Sequence, residues 1–404
     1  MSTSFSLKGK GLKFNTREDI ETHLKDVDPS IIEEIYLGGN TIGVDASKAL
    51  AEWLAKASKL RIADFSDIFT GRLISEIPLA LEALCDALID KASLVEIDLS
   101  DNAFGGRSVD PIVPLLTKNR NFQVLKLNNN GLGPAGGEVI ARALQESAKL
   151  SKSEGKTSNL RTVICGRNRL ENGSAPAWAE AFAEHGLLEE VRMPQNGIRM
   201  EGAIELAKGL AKNPKLGYID FQDNGFSTEG ALDGIEAWAN ALTSWPELHT
   251  LNLSDCILST EGEVPQVITQ LVEGSNPKLK KLLIQNNNLD TQTFEVLAGA
   301  ISTTLKELVR VELQWNEAEE DDEHLENIKL SLKQRGGRLI ATDEDEEEEE
   351  AEKGEEPEET VEEEAKKVAP VVAEALKAEA KEPKQVEDDA ADALADALSQ
   401  VKIQ

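Results

Sequence analysis

The 404-residue sequence is poor in aromatic residues, in cysteine and in long apolar runs. Its three cysteines, Cys85, Cys165 and Cys256, are odd in number and far apart, so neither a disulfide framework nor a zinc site is predicted, and we expect buried free thiols. No run approaches the roughly 18 apolar residues of a membrane span. The first residues, MSTSFSLKGKGLKF, contain no apolar segment typical of a signal peptide. We therefore expect a soluble intracellular protein that does not bind membranes.

Basic residues are also scarce, because the formal net charge is -31. Residues 343–404 hold 24 acidic and 7 basic residues, a net charge of -17, and the rest of the chain carries -14. Binding to a nucleic acid backbone requires clustered lysine and arginine, so we expect no nucleic acid partner. The charge favours basic protein partners.

Motifs of catalytic or nucleotide-binding sites are missing as well. The sequence contains no GxxxxGK[ST], HExxH or GxSxG motif. Its four histidines, His23, His185, His249 and His324, share no spacing, and surface or helix-capping roles are predicted for them. No active site of its own and no metal site are predicted.

What is present is an internal repeat of the pattern L-x-x-L-x-L-x-x-N-x-L, as in LVEIDLSDNAF from Leu94 and FQVLKLNNNGL from Phe122. It occurs ten times at intervals of 28 to 38 residues, imperfectly at Leu60. The ten units start at Ile32, Leu60, Leu94, Phe122, Leu160, Leu188, Leu216, Leu248, Leu279 and Leu308. A fixed period of this length indicates a solenoid.

Each unit predicts one strand and one helix. The L-x-L core alternates like a short strand, and the asparagine after it can bond the backbone where the chain turns, stacking as a ladder along the repeats. Apolar residues follow at helical spacing, for example Ala46, Ala49, Leu50 and Trp53. The predicted fold is an α/β right-handed leucine-rich-repeat solenoid. It is a crescent with a parallel sheet inside, helices outside and ribonuclease-inhibitor-like repeats of about 28 residues.

Two units are longer than the others. In ADFSDIFTGRLISEIP (63–78) the ladder asparagine is replaced by Ile68, and a loop carrying Arg72 follows; few polar residues suggest a rigid, functional loop. The other holds ESAKLSKSEGKTS (146–158), which is polar and predicts a helix extension or surface loop.

Composition predicts three segments. Residues 1–342 form the repeat domain with an N-terminal cap, and residues 343–364, with 16 acidic residues of 22, form a disordered tract. Residues 365–404 are alanine-rich and include ADALADALSQV, a short amphipathic helix by pattern. Two interpretations of this tail stay open, a solvating tail and a docking element for a basic partner.

Polar residues follow the strands of the first half of the array. They are Asp67, Thr70, Arg72, Asp101, Asn128, Asn129, Arg167, Arg169 and Gln195. Because neighbouring repeats stack, we expect these residues to lie close together on one rim. Such a rim predicts a polar recognition patch that acts on a partner's phosphates.

Four segments carry a resemblance to a known family: SDIFTGR (66–72), LSDNAFG (99–105), NNGLGP (129–134) and ICGRNRLENGS (164–174). They resemble the corresponding segments of the Ran GTPase-activating proteins, in the short fungal-type form. The similarity extends from residue 5 to about residue 340, and the acidic tail agrees with it.

The resemblance implies activation of the GTPase Ran in trans, in nucleocytoplasmic transport. In this family an asparagine, here Asn129, orients the partner's catalytic glutamine, and no arginine finger is used. Partner-binding roles are implied for Asp67, Thr70, Arg72, Asp101, Asn128, Arg167, Asn168, Arg169 and Gln195. Near relatives carry a lysine at the position of Ile74, so a contact made by that lysine is not expected here.

The resemblance also implies Ran-GTP as partner, joined by a Ran-binding protein in a ternary complex. GTP and Mg²⁺ belong to the partner, so no cofactor of its own is expected, and we expect a monomer in the cytoplasm or at the nuclear periphery. The alternatives are a protein-binding or inhibitor module of the ribonuclease-inhibitor type and a histone-chaperone-like acidic repeat protein. The scarcity of cysteine argues against the former, and the repeat length against the latter.

Overall fold

The computed structural model describes residues 2–346, apart from 107, 229, 261 and 318–321. Contacts within the chain define a compact unit of Met1–Asp343. The alanine-rich tail, its amphipathic helix and most of the acidic tract lie outside the described residues, so the predictions made for them stay predictions.

The strands of this unit are short and almost all belong to one sheet. In chain order they are β1 (Ser4–Ser6), β2 (Lys13–Phe14), β3 (Glu34–Tyr36), β4 (Thr41–Ile42), β5 (Ile62–Asp64), β6 (Glu96–Asp98), β7 (Val124–Lys126), β8 (Thr162–Ile164), β9 (Glu190–Arg192), β10 (Tyr218–Asp220), β11 (Thr250–Asn252), β12 (Lys281–Leu283), β13 (Arg310–Glu312) and β14 (Arg338–Ile340). Twelve of them form a parallel sheet in the order β1, β3, β5 and then β6 to β14, while β2 pairs with β4 beside it.

The helices of the described residues alternate with these strands. They are α1 (Arg17–Leu24), α2 (Val44–Leu54), α3 (Ile77–Leu88), α4 (Val113–Lys118), α5 (Gly133–Ser153), α6 (Glu171–His185), α7 (Met200–Leu210), α8 (Asp233–Leu242), α9 (Gln266–Val272), α10 (Thr291–Ile301) and α11 (Glu323–Lys333). Short 3₁₀ turns lie at Pro29–Ile31 and Asp110–Ile112. The predicted strand–helix repeat is confirmed.

The sheet has one buried and one open face. The middle residue of each repeat strand, such as Ile97, Leu125 or Val163, is fully buried against the helices, and most of its neighbours in the strand face the other side. Period-2 alternation therefore places the L-x-L leucine positions in the core.

The predicted asparagine ladder is present. The Asn130 side chain donates from Nδ2 to the carbonyls of Leu99 and Leu127, 3.0 Å each, and its Oδ1 accepts from the backbone N–H of Asn102 at 2.9 Å. At the break, the backbone N–H of Ile68 still donates to Asn102 Oδ1 at 2.8 Å, while the Ile68 side chain is buried. The ladder therefore loses one amide there without losing the register of the repeats.

Cysteine enters the ladder at one position. Cys256 Sγ donates to the carbonyls of Phe221 and Ser254 at 3.3 Å, as an asparagine amide would. Cys85, Cys165 and Cys256 are free and buried, and burial raises the pKa of each thiol. The prediction of buried free thiols is confirmed.

Two expectations differ from the structure. The sheet is longer than the ten predicted strands, because β1 and β14 pair at its two ends. His185 is buried rather than on the surface, and its Nδ1 lies 2.6 Å from Ser158 Oγ. The 38-residue unit extends a helix, since α5 runs to Ser153, one of the two forms expected for it.

Candidate partner interface

A single backbone feature places the site residues. The residue before each ladder position has a positive φ, between 45° and 73°, where the chain turns out of its strand. We call these residues the rim row: Gly39, Asp67, Asp101, Asn129, Arg167, Gln195, Asp223, Asp255, Asn286 and Trp315. Four of the predicted site residues and the predicted catalytic asparagine lie in consecutive places of this row.

The rim row is held by backbone hydrogen bonds between repeats. The N–H of Asp101 donates to the carbonyl of Asn128 at 2.8 Å, that of Asn129 to Gly166 at 2.9 Å, and that of Arg167 to Pro194 at 2.9 Å. Neighbouring strands lie about 4.8 Å apart, so Asp67 and Gln195 are separated by four spacings, roughly 19 Å. The stacking therefore brings the predicted residues together on one edge.

Left-handed backbone is tolerated by glycine, asparagine and aspartate but costs most other residues roughly 1–2 kcal/mol. Arg167 (φ 56°) and Gln195 (φ 53°) adopt it in the row, and Arg169 (φ 54°) adopts it just beyond the ladder residue. The same backbone occurs at Trp315, so the fold sets the conformation of this place in every repeat and accepts long side chains there.

Asn129 is one of the exposed amides of the row. Its Nδ2 donates to Asp101 Oδ1 at 3.0 Å, which leaves its carbonyl oxygen and one N–H toward the outside. The preceding Asn128 is half-buried, and its Oδ1 accepts from the backbone N–H of Gly166 at 2.7 Å. Of the two asparagines, Asn129 exposes its amide, while the amide oxygen of Asn128 fixes the turn.

Two arginines lie next to this amide. Arg167 is exposed and donates from Nε to Gln195 Oε1 at 2.8 Å. Arg169 is exposed, and within the described part of the chain its guanidinium makes no hydrogen bond or ion pair. In an acidic chain these two cations give the middle of the row a local positive charge suited to an anionic group.

The structure corrects the assignment of Asn168 to the partner surface. Its side chain is 0% exposed. Its Nδ2 donates to the carbonyls of Leu127 and Gly166, and its Oδ1 accepts from the N–H of Asn130. Asn168 is a ladder residue that supports the two arginines beside it.

The loop between β5 and α3 turns its apolar side inward. Ile68 and Phe69 are buried, and the ring of Phe69 lies 6.2 Å from that of Phe104. Asp67 accepts a 2.6 Å hydrogen bond from Thr70 Oγ1, so these two polar residues form one turn. Ile68 and Phe69 therefore form the apolar base of this loop.

Arg72 points at the N-terminal cap of its own chain. Its guanidinium donates to Thr41 Oγ1 (2.8 Å), Asn15 Oδ1 (2.8 Å), the Phe14 carbonyl (3.1 Å) and the Thr41 carbonyl (3.0 Å). A Cβ at Gly43 would come within 2.9 Å of its Nη1, so the cap leaves space for this side chain. In this structure Arg72 binds the loop to β2 and β4.

Sequence reasoning missed two parts of this arrangement. Asn15 and Thr41, the anchors of Arg72, carry no motif signal. It also missed a second pair in the rim row, in which Asn286 Nδ2 donates to Asp255 Oδ1. The residue after that pair in the row is Trp315, whereas Arg167 follows Asn129. The pairing alone is therefore not distinctive, and the adjacent arginines set Asn129 apart.

The open sheet face beside the row is acidic in its first half. Lys126 Nζ pairs with Glu96 at 2.6 Å, and Lys8 with Asp64 at 3.1 Å. Burial raises the pKa of the Asp98 carboxyl, and the nearby Asp64 acts in the same direction. These carboxylates lie on β5 and β6, two to three strands from the repeat that carries Arg167 and Arg169.

No described helix combines the length and apolar character needed to cross a bilayer. The described residues also contain no group of His, Cys, Asp or Glu suited to hold a metal ion. Fold and site thus define a leucine-rich-repeat protein with an exposed polar rim.

Comparisons with known proteins narrow this class. A family model described as "Leucine Rich repeat" matches residues 118–141. The chain is 36% identical to Ran GTPase-activating protein 1 of Saccharomyces cerevisiae over 335 residues, covering 80% of this chain and 81% of that relative. The chain belongs to the Ran GTPase-activating protein family.

Two further relatives agree with the family and the fold. Ran GTPase-activating protein 1 of Xenopus laevis is 50% identical over 197 residues, which is 48% of this chain and 34% of that longer protein. Ribonuclease inhibitor of Mus musculus is 27% identical and covers 62% of this chain and 53% of the relative. The predicted ribonuclease-inhibitor-like repeat is confirmed.

Proposed function

We propose that this protein stimulates GTP hydrolysis by the small GTPase Ran and completes its partner's active site in trans. The observation that carries the proposal is the exposed Asn129 amide, held by Asp101, with Arg167 at the next place of the rim row and Arg169 two residues beyond it. Family membership supports the identity of the partner.

The chemistry follows from what a neutral amide can do. Phosphoryl transfer to water depends on positioning and on charge stabilisation more than on covalent participation by the protein. Asn129 keeps an acceptor and a donor for a partner and adds no charge, so it can bind the side-chain amide of a catalytic glutamine and fix its orientation. The partner brings GTP and Mg²⁺, and this chain needs no cofactor of its own.

The arginines have supporting roles in this proposal. Arg72 is committed to the N-terminal cap, which supports a mechanism without an arginine finger from the loop. Arg167 and Arg169 attract the anionic centre of the partner, and Asp67, Thr70 and Gln195 complete the contact along the row. Electrostatic attraction of this kind raises the association rate.

The cellular role is proposed on the same basis. Ran-GTP is the partner, with a Ran-binding protein in a ternary complex, and the reaction serves nucleocytoplasmic transport. The proposed location is cytoplasmic, with a fraction at the nuclear periphery or shuttling. There the protein would stimulate hydrolysis of the GTP on Ran after Ran has left the nucleus. The protein acts as a monomer, and a basic protein is the proposed partner of the acidic tail.

The test is hydrolysis of GTP by purified Ran with catalytic amounts of this protein. We expect acceleration by several orders of magnitude, on the scale of roughly 10³–10⁵ typical of such activators. The intrinsic rate of Ran and the rate of an unrelated GTPase with the same protein are the controls. An unchanged Ran rate would contradict the proposal and favour a binding module without activating function.

A further inference from the structure

An apolar surface lies on the loop that follows β5. Among the described residues six large apolar side chains are exposed. Leu73 (67% exposed) and Ile74 (62%) lie on this loop and Leu79 (52%) lies in the first turn of α3, and we call these three the apolar loop face. Clustered exposed apolar side chains mark interaction sites, whereas scattered ones are normal.

The exposure of this face is built into the loop. Gly71 has a φ of 78°, the Arg72 N–H donates to the Phe69 carbonyl at 3.0 Å, and the Arg72 guanidinium is tied to the cap. On the other side the Leu73 N–H donates to Glu76 Oε2 at 3.2 Å. Because the backbone is fixed on both sides, the side chains that point outward are held there.

The apolar loop face follows a rim-row residue in the chain. The same loop contains Asp67, a member of the row. Asn129 lies two strands further along the sheet, which is roughly 10 Å at the usual strand spacing. A typical protein interface covers roughly 800 Å² of each partner. Such an area has a radius of roughly 16 Å, so a folded partner centred on Asn129 reaches Asp67, where this loop begins.

We propose that Leu73 and Ile74, with Leu79, dock against an apolar surface of the activated GTPase beside its bound nucleotide. This inference rests on the proposed function and adds the chemistry by which the partner is held. Apolar burial supplies affinity that salt does not screen, while the rim row supplies orientation. The face contributes to the stability of the complex and not to the chemical step.

The test uses the full chain with Leu73→Ser and Ile74→Ser combined. The probe is Ran loaded with a non-hydrolysable GTP analogue, titrated at low and at moderate salt. We expect a loss of affinity of roughly ten- to hundredfold, nearly equal at both salt concentrations. The single-turnover rate with saturating variant should stay within about twofold of the unchanged chain, because both side chains lie outside the reacting groups.

Two control variants make the result specific. Leu330→Ser changes an exposed leucine on α11 and should leave affinity unchanged. Leu73→Met with Ile74→Val keeps the face apolar and should preserve affinity. Unchanged affinity of the double serine variant would overturn this inference alone, provided the unmodified chain accelerates Ran. Absence of both binding and acceleration by the unmodified chain would overturn this inference together with the proposed function.

Discussion

Single residues of the rim row show how a repeat protein can carry a site. Each repeat must turn out of its strand through one left-handed residue, so the fold presents a side chain at the same place on every repeat. Asparagine and aspartate suit this backbone, and the Asp101–Asn129 pair uses both. The fold sets where each rim-row side chain lies, and the type of residue at that place sets its chemistry.

The aspartate beside Asn129 should position the amide. Asp101→Ala removes the acceptor of Asn129 Nδ2, so the amide gains rotational freedom, and we expect the maximal rate with Ran to fall roughly ten- to hundredfold. Affinity should change little. Single-turnover hydrolysis at saturating protein checks this, with Asp255→Ala as matched control because Asp255 holds Asn286 in the same way. A purely structural role would instead lower the melting temperature and leave the rate at saturation intact.

His185 should make stability fall in mild acid. Burial lowers the pKa of His185 from 6.5 to about 4, so below pH 6.5 the unfolded chain takes up a proton that the folded chain refuses. Stability attributable to this residue is complete above pH 6.5 and decreases toward pH 4. The free energy of unfolding should fall by roughly 2 kcal/mol between pH 7.5 and pH 5 because of this residue.

His185→Asn tests this, because its amide can keep the hydrogen bond to Ser158 without titrating. Urea unfolding of both proteins at pH 7.5 and pH 5 gives the comparison. The difference between the two proteins should shrink at pH 5 by roughly the 2 kcal/mol that linkage predicts. A difference independent of pH would show that His185 titrates normally in the folded chain.

At the scale of elements, the loop between β5 and α3 connects the N-terminal cap to the rim row. It replaces one ladder amide by the buried Ile68 and holds itself to β2 and β4 through Arg72. At Ile68 the repeat therefore lacks the ladder amide, and the loop that follows is fixed by Arg72 instead.

Arg72→Ala should release this loop. The variant loses four hydrogen bonds of a half-buried charged group, and we expect about 1–3 kcal/mol of destabilisation, concentrated near the cap. Hydrogen exchange should quicken in residues 69–76 and in β4. Affinity for Ran should fall while the rate at saturating protein recovers.

Arg72→Lys is the informative companion, because an ammonium cannot reproduce the fork of bonds to Asn15 and Thr41. It should resemble the alanine variant. If either variant keeps its affinity but loses the saturating rate, Arg72 acts on the reaction itself and the loop role is wrong.

The ladder should be costly to interrupt. Asn168→Ala leaves the buried N–H of Asn130 without its side-chain acceptor and removes one of the two side-chain donors to the carbonyl of Leu127, so we expect roughly 2–4 kcal/mol of destabilisation. Denaturant unfolding measures it, and Asn240→Ala on the exposed face of α8 is the control. Equal stability of the two variants would contradict the ladder account.

At the scale of the whole molecule, the repeat pattern predicted the architecture well. The L-x-L spacing located all ten inner strands, and the asparagine positions located the ladder, because both patterns repeat the physical requirements of stacking. It missed β1 and β14, since each end of the sheet lacks the asparagine that marks a repeat. Both end strands lie outside the full repeat motif, so the pattern contains no signal for their pairing.

The site was predicted less completely. Asn129, Arg167 and Gln195 were grouped from their equivalent places in the repeat, and the structure places them in one row. The burial of Asn168 follows from its ladder position, but a motif containing it suggested a surface role. The bonds from Arg72 to Asn15 and Thr41 span 57 and 31 residues, and no local pattern encodes such contacts.

The role of Asn129 in the reaction is tested by comparing two substitutions in single-turnover hydrolysis by Ran at saturating protein. Asn129→Ala and Asn286→Ala each remove an amide that has left-handed backbone and donates to an aspartate of the preceding repeat, Asp101 and Asp255 respectively. Only Asn129 lies beside Arg167 in the rim row. The account predicts a loss of at least about a hundredfold for Asn129→Ala with little change in affinity, and an unchanged rate for Asn286→Ala. An unchanged rate for Asn129→Ala, or equal losses in both variants, would contradict it.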